Sequence, residues 1–192
     1  MKSVQIIPGL AVDEEMFNAA VTGLAEHLPD EHLTWDRFTS ESNWTLIPDL
    51  DGVGYKAELL LRREAECTAK INLWLGPDLR DGAAPKPHNH PWEFTAFILL
   101  GGYTEQRYEV VDGQVTSTTQ VHQAGGQNHL PLTTFHEVTA IAEPGRTLTL
   151  MVCGAGRKGE WGYIDPESGE FEANQPDPGF RARLVAINPR LR

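Results

Sequence analysis

Cysteine is scarce in this chain, and long apolar runs are missing. The 192 residues include two cysteines, Cys67 and Cys153, which form no CxxC pair, so a disulfide framework is not expected. No apolar stretch reaches the roughly 18 residues that a membrane-spanning helix needs. The apolar segment near the start is too short for a signal peptide, and acidic residues follow it directly. We therefore predict a cytoplasmic protein with reduced thiols and no membrane partner.

Positive charge is also in deficit. The chain has 16 Lys and Arg against 27 Asp and Glu, for a formal net charge of −11. This balance argues against nucleic acid or an anionic membrane surface as a partner. The acidity is concentrated in residues 13–51, whereas residues 52–165 are close to balanced. The net charge therefore still allows a small anionic substrate.

The apolar pattern predicts one helix followed by many strands. Residues 13–28 are amphipathic, with Asp13 as an N-cap candidate and Pro29 just past the end. Alternating segments then follow, separated by Gly and Pro turns, with Asp112-Gly113 as a strong hairpin signal. The predicted strands are 54–62, 67–75, 94–100, 103–111, 114–122, 136–142 and 146–153. Short strands without intervening helices favour an all-β sandwich or barrel.

Three histidines are spaced as metal ligands would be. His88 and His90 form an HxH pair, whose side chains share one face of an extended chain roughly 7 Å apart. His136 lies 46 residues after His90, at the start of another predicted strand. Three neutral imidazoles suit Fe, Zn, Ni, Cu or Mn and leave coordination positions open for a substrate. An HxH pair by itself is common without a metal, so the flanking residues matter.

The flanking residues resemble the two motifs of the cupin superfamily. The first motif, Gly-x5-His-x-His with a later glycine, is matched by Gly82, His88, His90 and either Gly101 or Gly102. The second is matched by Gly125, Pro131 and His136, with Thr133 and Ala140 in place of its second glycine and its asparagine. The resemblance implies a cupin-type double-stranded β-helix, a jelly-roll barrel, here with an N-terminal helical arm. We divide the chain into an acidic arm (1–50), a cupin barrel (51–165) and a C-terminal tail (166–192).

The glutamate of the first cupin motif is displaced in this chain. It should stand at position 94 or 95, which hold Phe94 and Thr95, whereas Glu93 comes one residue early. A one-residue offset turns a strand side chain to the other face unless a bulge corrects it. Either Glu93 is a fourth ligand through a bulge, or the metal is held by the histidines alone. A three-histidine site resembles the cysteine-dioxygenase branch, whose iron binds thiol substrates and O2.

Further site residues are predicted on the strand after the glycine pair. Tyr103, Glu105 and Arg107 share one face, and if that face points inward they lie near the metal. Tyr103 and Glu105 would then be catalytic, and Arg107 would bind a substrate carboxylate. In the alternative, residues 104, 106 and 108 point inward, and Tyr103, Glu105 and Arg107 are exposed to solvent.

Other polar and aromatic residues have both a functional and an ordinary interpretation. Trp92 is predicted as a substrate-pocket wall, with core packing as the alternative. His129 is predicted to contact substrate or support the metal site, with a loop position as the alternative. His122 is predicted to be exposed. Arg62 and Lys70 would bind an anionic group only if they face inward.

The leading functional prediction is a mononuclear non-haem Fe(II) dioxygenase that acts on a small polar substrate, amino-acid-like or a thiol, with O2. Zn, Ni or Mn are the alternative metals. The second hypothesis is an oxygen-independent isomerase, epimerase or lyase, with Glu105 or His129 as the proton carrier. The third is a non-catalytic small-molecule-binding cupin. The resemblance also suggests a homodimer, and no DNA-binding motif is present.

Overall fold

A computed structural model describes residues 3–78, 86–157 and 161–191 of the chain. The described residues are mainly β-strand, with short helices near both ends. The strands are β1 (Ser3–Ile7), β2 (Leu10–Asp13), β3 (Trp44–Pro48), β4 (Gly54–Arg63), β5 (Thr68–Trp74), β6 (Phe94–Leu100), β7 (Gly102–Val111), β8 (Gln114–Gln123), β9 (Gln127–Leu130), β10 (Phe135–Ile141), β11 (Thr147–Cys153), β12 (Gly162–Ile164) and β13 (Phe171–Ala173). The helices are α1 (Glu14–His27), α2 (Trp35–Thr39) and α3 (Phe180–Ile187), with 3₁₀ turns at Glu41–Asn43 and Pro189–Leu191.

Two antiparallel sheets build the body of the protein. The larger sheet has the strand order β3-β4-β5-β11-β6-β9, and the smaller has the order β10-β7-β8. Strand β11 lies between β5 and β6, so segments distant in sequence alternate across the sheet. The predicted all-β fold class is confirmed by this architecture. The strands that the sequence predicted correspond to β4–β8, β10 and β11.

Local sequence signals account for the ends of several elements. Asp13 Oδ1 accepts a hydrogen bond from the Met16 backbone N–H at 3.0 Å and thereby caps α1. Between β7 and β8, Asp112 and Gly113 have φ angles of 51° and 76°. Positive φ at both positions is the geometry of a tight hairpin, which Asp-Gly favours. The predicted helix and the predicted hairpin are both confirmed.

The two faces of the larger sheet have different partners. On β5, Ile71 and Leu73 pack outward on the N-terminal segments, whereas Asn72 and Trp74 face a cavity that both sheets line. The apolar cluster on the outer face joins α1, α2 and β1–β3 to the sheet. Its buried members are Ile6, Ile7, Leu10, Val12, Met16, Ala20, Leu24, Leu33, Phe38, Trp44, Leu46, Ala57, Leu59, Ile71, Leu73, Leu148 and Leu150.

The segments assigned to the arm and the tail both contact the larger sheet. Strand β3 pairs with β4, although its residues precede position 51. The Asn188 side chain accepts from the Leu46 N–H and donates to the Leu46 carbonyl, each at 2.8 Å. The division of the chain at residues 50 and 165 stays a prediction.

Both cysteines are free thiols. Cys153 is buried at the end of β11, and burial raises the pKa of its thiol to about 11. Its side chain therefore stays protonated and packs as a small apolar group. No helix in the described part of the chain is long and apolar enough to cross a membrane.

Candidate metal centre

Backbone pairing brings the three predicted histidines together. His88 and His136 lie opposite each other, and each donates its N–H to the carbonyl of the other at 3.0 and 2.9 Å. His90 follows two residues later, so its ring lies on the same side. One ring nitrogen from each histidine lies within 4.8 Å of the other two. His88 is fully buried and His136 is 4% exposed, so this cluster lies inside the protein.

The cluster fits a metal ion in chemistry, and one pair of its nitrogens fits a metal ion in spacing. His90 Nε2 lies 2.9 Å from His136 Nε2. Two nitrogens bound at right angles to one ion, each about 2.1 Å from it, would be about 3 Å apart. Imidazole nitrogen suits iron, zinc, nickel and copper alike, so the donor set does not select among these metals.

Glu105 on β7 is hydrogen-bonded to one histidine of the cluster. The register that pairs β10 with β7 places its carboxylate 2.7 Å from His136 Nδ1. The carboxylate is fully buried and is also hydrogen-bonded to His122 Nε2 at 2.8 Å, Asn128 Nδ2 at 3.0 Å and Arg107 Nε at 3.1 Å. Because His136 Nδ1 is engaged by Glu105, its Nε2 is the nitrogen left for an ion.

Electrostatics keep Glu105 ionised. Burial raises the pKa of its carboxyl, but hydrogen bonds from His122 and His136 and the charge of Arg107 lower it more. The net pKa lies well below the usual value for glutamate. A buried carboxylate with these partners holds a ligand in place but is a poor proton acceptor near neutral pH.

Tyr103 and Arg107 surround the same carboxylate. Tyr103 is buried, and its hydroxyl accepts a hydrogen bond from Asn128 Nδ2 at 2.8 Å. Burial raises the pKa of this phenol, so Tyr103 is neutral. The Arg107 guanidinium donates to Glu105, to Asn128 Oδ1 and to the His129 carbonyl. The structure thus places Tyr103, Glu105 and Arg107 beside the cluster, while their predicted roles stay proposals.

The remaining predicted residues lie around the cluster at different distances. The Trp92 ring stacks 6.0 Å from the His90 ring and lines an open groove of about 800 Å³. His129 is exposed, with Nδ1 3.2 Å from Thr95 Oγ1. Glu93 is exposed and is not part of the histidine cluster. Phe94 occupies the cavity wall, with its ring 5.2 Å from that of His90. The motif glycine Gly82 lies outside the described residues.

Several residues near the cluster were missed by the sequence analysis. The prediction that His122 is exposed is wrong, since its side chain is 10% exposed and contacts Glu105. Asn128 links Tyr103, Glu105 and Arg107, and no motif marked it. Asp78 is buried, with Oδ2 4.0 Å from His88 Nε2.

The cavity beside the histidines is small, at about 40 Å³. Its lining includes His90, His136, Asn72, Lys56 and Tyr103. The alternation on β4 and β5 places Lys56 and Asn72 on this inner face, a signal that was available in the sequence.

Comparison with known proteins shows similarity at the level of solved structures. No family model and no curated protein matches the chain. An RmlC-like cupin from Shewanella frigidimarina is 18% identical, with a TM-score of 0.38, over 59% of this chain and 86% of that one. KdgF from a Halomonas species is 17% identical, with a TM-score of 0.38, over 54% and 82%.

A third structure, hydroxypropylphosphonic acid epoxidase from S. wedmorenis, is 15% identical, with a TM-score of 0.39. The match covers 57% of this chain and about half, 55%, of the epoxidase. Similarities this low say nothing about activity. The chain itself nevertheless has the antiparallel double sheet and the cluster of three histidines that the sequence resemblance predicts.

Proposed function

We propose that this protein is a mononuclear non-haem Fe(II) dioxygenase that acts on a small polar substrate, amino-acid-like or a thiol. The observation that carries the proposal is the convergence of three neutral ligands, His88, His90 and His136, of which His88 and His136 are buried. Fe(II) is the proposed metal, and Zn, Ni and Mn are the alternatives. The proposal includes O2 as co-substrate, a cytoplasmic location and a homodimer.

Different residues would hold the ion, orient its ligands and line the cavity beside it. A bound iron would supply a Lewis acid and a redox-active centre between O2 and the substrate, and the substrate is the electron donor. His88, His90 and His136 would hold it through ring nitrogens, and Glu105 fixes the orientation of the His136 ring. Tyr103 presents a neutral hydroxyl to the cavity. Phe94 provides an apolar wall that limits the access of water.

The oxygen-independent isomerase, epimerase or lyase is the second candidate. This chemistry needs a group that takes and returns a proton next to the substrate. Glu105 is ionised and engaged by four hydrogen-bonding side chains. His129 is exposed and contacts Thr95. Neither proposed proton carrier is therefore well placed, which supports the oxygenase over this candidate.

Oxygen consumption is the direct test of the proposed function. The metal-free protein would be loaded with Fe(II) under anaerobic conditions and then exposed to O2 with small amino acids and thiols. We expect one iron per chain and substrate-dependent O2 uptake. Stoichiometric zinc or nickel in the purified protein, with no O2 uptake after iron loading, would contradict the proposal. Turnover without O2 would select the second candidate, and binding without turnover the third.

Glu105→Gln should weaken metal binding about 10- to 100-fold, as is typical for partners of metal-ligating histidines. Glutamine keeps the size of the side chain but replaces one acceptor oxygen with a donor, so it cannot accept from both His122 and His136. The affinity would be measured by competition with a chromophoric chelator. Glu109→Gln, an exposed change on the same strand, is the control and should leave the affinity unchanged. Equal affinities for both variants would argue against the positioning role.

A further inference from the structure

Two lysines share one carboxylate on the inner face of the larger sheet. Lys70 Nζ lies 2.6 Å and Lys56 Nζ lies 3.3 Å from Glu58 Oε1. The side chains of Lys56 and Lys70 are only 12% and 15% exposed. Burial by itself raises the pKa of the Glu58 carboxyl. The two lysine ammonium groups outweigh this effect and lower the pKa to about 2. The trio therefore carries one positive charge in excess, in a place largely shielded from water.

Of the two lysines, Lys56 is the one that lines the metal cavity. It shares this cavity with His90 and His136, whereas Lys70 lines the open groove. Lys70 makes the shorter contact with Glu58, so Lys56 is the less firmly paired ammonium. Its Nζ also lies 5.2 Å from the centre of the Trp74 ring. A poorly compensated ammonium inside a protein favours an anion beside it.

Asn72 provides a second, independent indication of a ligand. It is 1% exposed and lines the same cavity as Lys56. Its amide nitrogen faces Met151 Sδ at 3.6 Å, and no described residue donates a hydrogen bond to its Oδ1. Buried polar atoms are normally hydrogen-bonded, and one that is not calls for an explanation. A bound molecule with an N–H or O–H group would supply the missing donor.

We propose that the metal cavity contains a subsite for small α-hydroxy or α-amino carboxylates, in which Lys56 binds the carboxylate and Asn72 Oδ1 accepts from the neighbouring hydroxyl or amine. The proposal rests on the metal-dependent function above and narrows its substrate class. The cavity offers about 40 Å³ of space, and one water molecule needs roughly 10–15 Å³ of a cavity on this measure. Its size therefore favours a ligand of a few heavy atoms over sugars and nucleotides.

Titration of the Co(II)-loaded protein with glycolate tests the subsite. Binding would be followed in the visible spectrum of the cobalt, with uncharged ethylene glycol as the matched probe. We expect glycolate to bind and ethylene glycol to bind at least about tenfold more weakly, because hydrogen bonds to charged groups are the stronger ones. Equal binding of the two probes would overturn the proposal.

Two substitutions with opposite expected effects on glycolate binding distinguish a loss of charge recognition from damage to the fold. Lys56→Met should weaken glycolate binding about tenfold or more. Glu58→Gln, in the same cluster, should strengthen it, because the carboxylate that competes for Lys56 is gone. Circular dichroism would check that both variants are folded. A Lys56→Met variant with wild-type affinity, or weakening by both changes, would overturn the role of Lys56.

The role of Asn72 has its own measurement. Acetate has the carboxylate of glycolate but lacks the hydroxyl, so wild type should prefer glycolate. Asn72→Leu removes the acceptor at similar size and should abolish this preference, and a retained preference would overturn the assignment.

If cobalt does not bind, the proposed metal site fails. The subsite is then tested in the metal-free protein by NMR with ¹³C-labelled glycolate, where absence of Lys56-dependent binding would overturn it.

Discussion

Replacing His136 with alanine should lower the metal affinity by more than about 100-fold. Removing a residue that only positions a metal-ligating histidine already lowers the metal affinity about 10- to 100-fold. His136 would contact the ion itself, so its removal should cost more. His136 also holds the Glu105 carboxylate at 2.7 Å, so the variant loses a ligand and its support together. Elemental analysis of the purified variant, followed by a chelator competition titration, measures the loss. His88→Ala, which removes the fully buried ligand, should behave alike.

His32→Ala is the matched control, because His32 is exposed and lies outside the histidine cluster. It should retain the metal content of wild type. Thermal unfolding gives a second measurement, since a ligand that binds only the folded state raises the melting temperature. Added metal should stabilise wild type and His32→Ala but not His136→Ala. Full metal content in both the His88 and the His136 variants would exclude the proposed centre.

Replacing Trp44 with alanine should have the largest effect on stability, about 3–5 kcal/mol of unfolding free energy. Trp44 is fully buried where β3 meets the N-terminal segments. Its ring packs edge-on against Phe38 at 5.5 Å, and its indole N–H donates to the Phe38 carbonyl at 2.6 Å. The variant would leave a cavity of a whole indole and an unpaired buried carbonyl. Denaturant unfolding measures the change in free energy.

Trp35→Ala controls for the loss of a tryptophan as such. Trp35 lies on α2 and is only half-buried, against Phe17 at 5.3 Å. Trp35→Ala should lower the free energy of unfolding clearly less than Trp44→Ala does, because less apolar surface becomes exposed to water. An equal or larger loss of unfolding free energy at Trp35 would contradict the expectation that the more deeply buried tryptophan contributes more to stability.

Local pattern was sufficient for much of the fold. The alternation of apolar and polar residues predicted β4–β8, β10 and β11, and the three-to-four-residue period predicted α1. These signals are strong because each element has one buried face, which the sequence repeats at a fixed period. The short strands β1, β2, β3, β9 and β13 escaped prediction. Segments of three to five residues hold too few repeats to establish a period.

The candidate metal ligands were also predictable, because their signal is residue type and spacing. His88, His90 and His136 were selected from the HxH pair and the motif distances, and the structure places them in one cluster. Glu93 shows the limit of spacing, since a one-residue shift on a strand changes the face. The structure shows Glu93 exposed and Phe94 at the cavity wall.

The sequence by itself thus determined the fold class, most strands and the three histidines. Only the tertiary structure decided which side chains surround them. The Glu105 network with His122 and Asn128, and the inward position of Lys56 and Asn72, depend on the register between β10, β7 and β8 and on the stacking of two sheets. Such contacts join residues 17 to 31 positions apart, as from Glu105 to His122 and to His136. Period and motif describe one segment at a time, whereas a hydrogen bond between segments depends on how both are packed.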